Sequence, residues 1–211
     1  MTRLGYRQFL TVRCYIICSV LVLFLSLTQL SVAADSDAAP QEAGKQTTPK
    51  KPAETPSADA LHLTSSSFEA DAAISAKYSC DGANLSPALT WNDPPAATKG
   101  FALIVDDPDA PGKTFVHWVV YDIPAAARML PEGVPTEATL NDGSQQGRND
   151  HGKIGYSGPC PPHGVVHHYF FKLYALDAKT NVKPQATKPE LVQAMKGHIL
   201  AEAELIGRFG H

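Results

Sequence analysis

Basic residues are in short supply in this sequence. Its 211 residues hold 18 lysines and arginines against 21 acids. That balance excludes the cationic footprint that nucleic-acid binding needs. Arg3, Arg7 and Arg13 lie in the first 34 residues, which contain no acid; without them 15 bases remain against 21 acids, a formal charge of −6. Such a chain gains nothing by charge from an anionic membrane surface. Long apolar runs are also lacking. The longest, about Ile16 to Leu30, is broken by Ser19, Ser26, Thr28 and Gln29, and falls short of the roughly 20 residues a spanning helix needs. No internal repeat is present, no His-Glu-x-x-His metal motif, and no Gly-x-Ser-x-Gly nucleophile elbow.

What is present divides the chain in three. A basic start, an apolar middle and the small residues Ser31-Val32-Ala33-Ala34 are the parts of a secretory signal peptide. Residues 1–34 are therefore expected to direct export to the periplasm or the medium, with no integral span after cleavage. The competing reading is a retained anchor. Residues 35–60 contain no aromatic and no aliphatic larger than alanine, so they have nothing to bury against their ordering entropy. They read as a disordered Ala/Pro/Lys-rich tether. Of four cysteines, Cys14 and Cys18 fall in the signal and Cys80 and Cys160 remain. In an oxidising compartment two cysteines invite a disulfide; two separate buried thiols are the alternative that spacing leaves open.

From Leu61 to His211 the texture is that of one folded domain. Leu61–Ser66 alternates, and Phe68–Ala70 extends that pattern. Phe101–Val105 is continuously apolar, as a strand buried on both faces is. Phe115–Ile123 and Val165–Leu176 are rich in β-branched and aromatic residues. Segments 93–95, 109–113, 141–147 and 158–164 carry the Pro, Gly, Asn and Asp of turns. One helix is predicted late in the chain. Thr187 and Glu190 are spaced as a capping box around Pro189, and Leu191, Ala194, Met195, His198, Ile199 and Leu205 follow at helical spacing. The expectation is a mainly β domain with a helix packed on it near its C-terminus.

Three segments gather unusual polar residues at strand ends. Asp106-Asp107-Pro108-Asp109-Ala110-Pro111 follows the buried strand, with two prolines fixing how Asp107 and Asp109 are presented. His117-Trp118 lies within the second strand. Gly155 to Pro162 is a Gly/Pro loop feeding a strand on which His167 and Tyr169, two apart, share a face. Taken singly, each has a plainer explanation: a turn, a core histidine, a rigid connection.

Together they resemble something specific. DPDAP, then HW, then GYSGPCPP followed by HHY is similar to the signature segments of the phosphatidylethanolamine-binding family, in its bacterial Raf-kinase-inhibitor-like branch. Cys80 to Pro87, Trp91, Asn149 and Glu204 to Arg208 fit the same pattern, so the resemblance spans nearly all of 61–211. It implies an antiparallel β-sandwich with a shallow pocket for phosphate, carboxylate or another small oxyanion. By position, that pocket comprises Asp107, Asp109, His117, His167 and Tyr169, walled by Gly158, Pro159, Cys160, Pro161 and Pro162, with Ser86 and Pro87 at its rim.

The chemistry is intelligible on its own terms. An oxyanion needs donors, which imidazolium, phenol and loop N–H groups supply. Asp107 and Asp109 would repel an anion directly, so their sensible role is to hold a histidine in place or to meet the amine of a zwitterionic headgroup. The leading expectation is a regulatory or inhibitory module without enzymatic activity, binding a phosphate or phospho-headgroup and acting on a protein partner. One rival is a hydrolase, through a metal held by two Asp and two His or a Ser157–His167–Asp107 triad. Another is a secreted or periplasmic protease inhibitor. No metal, organic cofactor or nucleic acid is expected.

Overall fold

The computed structural model describes residues 60–211. The expected signal over 1–34 and, Ala60 apart, the tether over 35–60 lie outside the described residues. Two sheets build the domain. A small one orders β1 (Leu63–Thr64), β2 (Leu89–Trp91) and β5 (Met129–Leu130) side by side. The large one holds β3 (Gly100–Asp107), β4 (Phe115–Pro124), β6 (Gln145–Arg148), β7 (His167–Leu176), β8 (Gln185–Thr187) and β9 (Ile199–Phe209) in the order β8-β6-β4-β3-β7-β9. Every pairing is antiparallel except β6 with β8.

The central strand explains the apolar run read from the sequence. Phe101, Leu103 and Val105 of β3 face the main core, enclosed between the two sheets with Leu63, Leu89, Trp91, Trp118, Val120, Phe171 and Leu173. Ala102 and Ile104 face the other side, where Val119, Tyr121, Leu191 and Met195 pack. With both faces covered, every residue of β3 is buried, and polar alternation disappears. Leu191 and Met195 belong to the helix α1 (Lys188–Met195). Burying each contributes roughly 1.5–3 kcal/mol, which fixes α1 to the sheet.

The capping box forms, with Thr187 N–H donating to the Glu190 carboxylate at 2.8 Å. The helix, however, is shorter than the apolar spacing predicts. It ends at Met195; Gly197 turns the backbone into the left-handed region at φ +79°. Ile199 and Leu205 then belong to β9, an 11-residue strand paired along β7. His198 lies in the turn between. The helix therefore precedes the last strand and does not end the domain. Segment 141–147, read as a turn, also gives up its last three residues to β6, whose ends pair with β4 and β8. Phe68–Ala70 does not continue β1; Phe68 instead packs its ring 5.3 Å from Phe171.

Candidate functional site

The site lies where β3, β4 and β7 end together, on the main-core side. Strand periodicity sends Asp107 to that face and Asp106 to the other. On β7 the same rule aligns His167, Tyr169 and Phe171. His117 reaches the site by a different route. Val105 pairs with Trp118 but Asp106 pairs with Val116, so one residue of β4 has no partner across the ladder and a β-bulge sits at His117. Val116 and Val119 consequently share the helix side although they are three apart, while Trp118 faces the main core. Bulges re-aim a side chain in this way beside functional sites. The freed backbone is taken up by the neighbouring loop, with Ser157 N–H donating to the His117 carbonyl at 3.0 Å.

That loop is clamped from behind by the segment 78–84. Tyr156 O–H donates to the Tyr78 carbonyl at 2.8 Å, Cys80 N–H to the Pro159 carbonyl at 3.0 Å, and Gly158 N–H to Asn84 Oδ1 at 2.7 Å. A Cβ on Gly158 would come within 2.2 Å of the Tyr78 carbonyl oxygen, so only glycine fits there. Cys80 and Cys160 are joined in a disulfide, which resolves the two readings left open by the sequence. Closing a loop of 80 residues removes chain entropy worth about 4 kcal/mol. Asn149 holds the adjoining turn, donating to the Gly155 carbonyl and accepting from the N–H groups of His151 and Lys153.

The result is a cavity of about 350 Å³ lined by Asp107, Ala110, Pro111, Phe115, His117, His151, Cys160, Pro161, Pro162, His167 and Tyr169. Four of its polar residues are deeply buried, with exposures of 1% for Tyr169, 3% for Asp107, 4% for His117 and 7% for His167, while His151 is exposed. Asp107 spends both carboxylate oxygens on its surroundings. Oδ1 accepts the Asp109 N–H at 2.8 Å, and Oδ2 lies 2.7 Å from His167 Nδ1. His117 Nδ1 lies 2.7 Å from the Ser157 carbonyl oxygen. Carbonyl and carboxylate oxygens only accept here, so both rings carry a proton on Nδ1 and leave Nε2 free. Burial holds the His117 pKa below the ordinary imidazole value. Tyr169 Oη is buried with no hydrogen-bond partner among the described residues. Burial, and then the Asp107 charge, keep its proton on well above the usual phenol range.

Several sequence candidates lie elsewhere. Asp109 is outside the lining; its Oδ2 accepts the His168 N–H at 2.8 Å and contacts His168 Nδ1 at 2.7 Å, and these bonds lower its pKa. Ser86 is buried, with its hydroxyl accepting the Val134 N–H at 2.9 Å and its carbonyl the Gly133 N–H. Neither it nor Pro87 lines the cavity. Gly158 and Pro159 support the wall from behind. Phe115 and His151, whose rings stand 4.7 Å apart, are lining residues that sequence reasoning passed over. Only Asn149, two residues before His151, was a signal for that turn.

Of the Ser157–His167–Asp107 set, the His167–Asp107 pair is bonded, and no hydrogen bond joins Ser157 to His167 among the described residues. Ser157 borders a neighbouring cavity with Cys80, Asn84 and Lys153, and meets His117 through its carbonyl. Among the described residues, the one convergence of three metal-binding side chains is Cys80, Cys160 and His211, where both sulfurs are bonded to each other. A larger cleft of about 630 Å³ opens at the opposite end of β3, around Gly100, Tyr121 and Lys179, but it gathers no imidazoles.

The comparisons agree with this architecture. Residues 64–210 match the family description "Phosphatidylethanolamine-binding protein". A UPF0098 protein of Methanothermobacter thermautotrophicus is 49% identical over 149 residues, 71% of this chain and 98% of its own. Another from Aquifex aeolicus is 46% identical, covering 71% of this chain and 88% of its own. Among solved structures, the phosphatidylethanolamine-binding protein homologue CT736 of Chlamydia trachomatis superposes with a TM-score of 0.67 at 40% identity, over 73% of this chain and 99% of that one. YbcL of E. coli, described as a new member of the mammalian PEBP family, gives 0.68 at 35% identity, over 72% and 98%. No described helix is long and apolar enough to cross a membrane. The chain belongs to the phosphatidylethanolamine-binding protein family.

Proposed function

We propose that this protein is an exported binding module for a small oxyanion of the phosphate class. The observation that carries the reading is the Tyr169 hydroxyl. It is a buried donor, held protonated, that has no acceptor among the described residues and belongs to a residue lining the cavity. An orphaned buried polar group costs about 1–3 kcal/mol, which a ligand oxygen would recover. His117 and His167 supply two further free ring nitrogens, and the cavity volume suits one phosphate group and its substituent. Asp107 serves as a positioning residue that orients His167.

The test is calorimetric titration of the full chain with inorganic phosphate and with phosphoethanolamine, beside a His117→Ala/His167→Ala double variant. Binding weaker by about a hundredfold in the variant is expected, since each lost buried hydrogen bond accounts for roughly tenfold. Equal affinity in variant and parent would sink the reading. Phosphate alone binding as well as its ester would make the oxyanion the recognised group; tighter binding of the ester would add the amine.

Export is supported by the Cys80–Cys160 disulfide, a bond that persists in oxidising compartments, together with the signal-like start. Fractionation of cells expressing the full chain checks it. Recovery from the periplasm or medium with both thiols blocked is the expected result, and a cytosolic protein with free thiols would overturn it.

A further inference from the structure

We infer that the cavity selects oxyanions that retain a proton, such as phosphate, over fully ionised oxyanions of the same size, such as sulfate. The inference rests on the anion-binding reading above and concerns which anions that site accepts. It follows from the direction of two hydrogen bonds. The Ser157 carbonyl, 2.7 Å from His117 Nδ1, forces the proton of a neutral His117 onto Nδ1. The ring's other nitrogen is then a lone pair, an acceptor that an oxygen without hydrogen repels. Tyr169 is the opposite case, a donor with no acceptor among the described residues. One ligand that satisfies both kinds of group must accept from Tyr169 and donate to His117 Nε2. A P–OH group beside a P–O⁻ does both. Sulfate near neutral pH offers acceptors only.

The groups around His117 keep it neutral in the resting site. Asp107 faces it from β3, Tyr169 from β7 at 5.2 Å between rings, His151 from the turn after β6, Phe115 from its own strand, and Ser157 and Gly158 from the loop. Burial outweighs the hydrogen bond to the Ser157 carbonyl and the attraction of Asp107. Sulfate therefore has to bring His117 a proton from solution, whereas phosphate brings its own.

The experiment is titration of the full chain with inorganic phosphate and with sulfate at about pH 7.5 and about pH 5, on either side of the ordinary histidine range. At the higher pH phosphate binds about tenfold or more tightly than sulfate, the penalty for an acceptor facing an acceptor. On acidification His117 becomes a donor and the ratio falls towards one. His117→Gln, whose amide can turn its NH₂ into the cavity, binds the two anions alike at the higher pH. Equal affinities in the parent protein at the higher pH, or a preference that acid leaves unchanged, would overturn the inference while leaving anion binding in place. Binding of neither anion at either pH would overturn the anion-binding reading and this inference with it. If His117→Gln does not fold, the pH series on the parent chain decides alone.

Discussion

Asp106 and Asp107 are neighbours on one strand and buried to nearly the same degree, at 1% and 3% exposure, yet they serve different purposes. Asp106 faces the helix side, where Lys188 donates to one oxygen and Lys172 stands 3.4 Å from the other. Both lysines keep part of their side chains in solvent. Nearby Tyr174 is pushed up to about 12 by burial and then by the Glu202 charge. Asp107 faces the main-core side and is equally well bonded, but the groups beside it are not. Two imidazole nitrogens and a phenol are left facing a cavity. Neither burial nor residue type separates the two carboxylates. What separates them is whether the surrounding polar groups have used up their hydrogen-bonding capacity within the protein.

The sharpest way to break that comparison is to remove each side in turn, beginning with Asp106→Ala. Deleting one partner of a buried pair costs about 3–5 kcal/mol when the other charge is stranded. Here the two lysines can turn to water, so a loss of about 2–3 kcal/mol is expected, read by urea unfolding. Phosphate affinity should stay within about twofold, because the substitution faces away from the cavity. A variant of normal stability that no longer bound phosphate would mean that the two faces are coupled through β3.

Much of the fold was legible because it follows from periodicity. The runs 101–105, 115–123 and 165–176 cover most of β3, nearly all of β4 and the whole of β7, since covered faces leave an apolar imprint. The helix start was legible from Thr187, Pro189 and Glu190. Its end was not, because Ile199 and Leu205 recur at a spacing that suits a helix as well as a strand, and only Gly197 separates them. Short strands such as β6 lie among turn residues and leave no pattern of their own. The site was legible as a set of segments more than as a set of contacts. Asp107, His167 and Tyr169 follow the two-residue alternation. His117 depends on a bulge, which one sequence cannot reveal. Asp109 and Ser86 carry the right chemistry, but His168 and the 133–134 turn already occupy it.

Tyr169→Phe is the smaller and more discriminating change on the Asp107 side. It removes one oxygen and leaves the ring in the core against His117. If Oη is an orphan, its loss relieves an unmet hydrogen bond, and the variant should be as stable as the parent or more stable by up to about 1 kcal/mol. Phosphate affinity should fall by about tenfold over the same change, because the donor meant for the ligand has gone. Stability and binding would then move in opposite directions, as they do where a protein keeps strain for function. A drop in stability of more than about 1 kcal/mol would instead mean that Oη is already bonded in the free protein, to the Cys160 backbone or to Asp107. The Asp107 side would then be as self-satisfied as the Asp106 side, and the distinction between the two carboxylates would lose its physical basis.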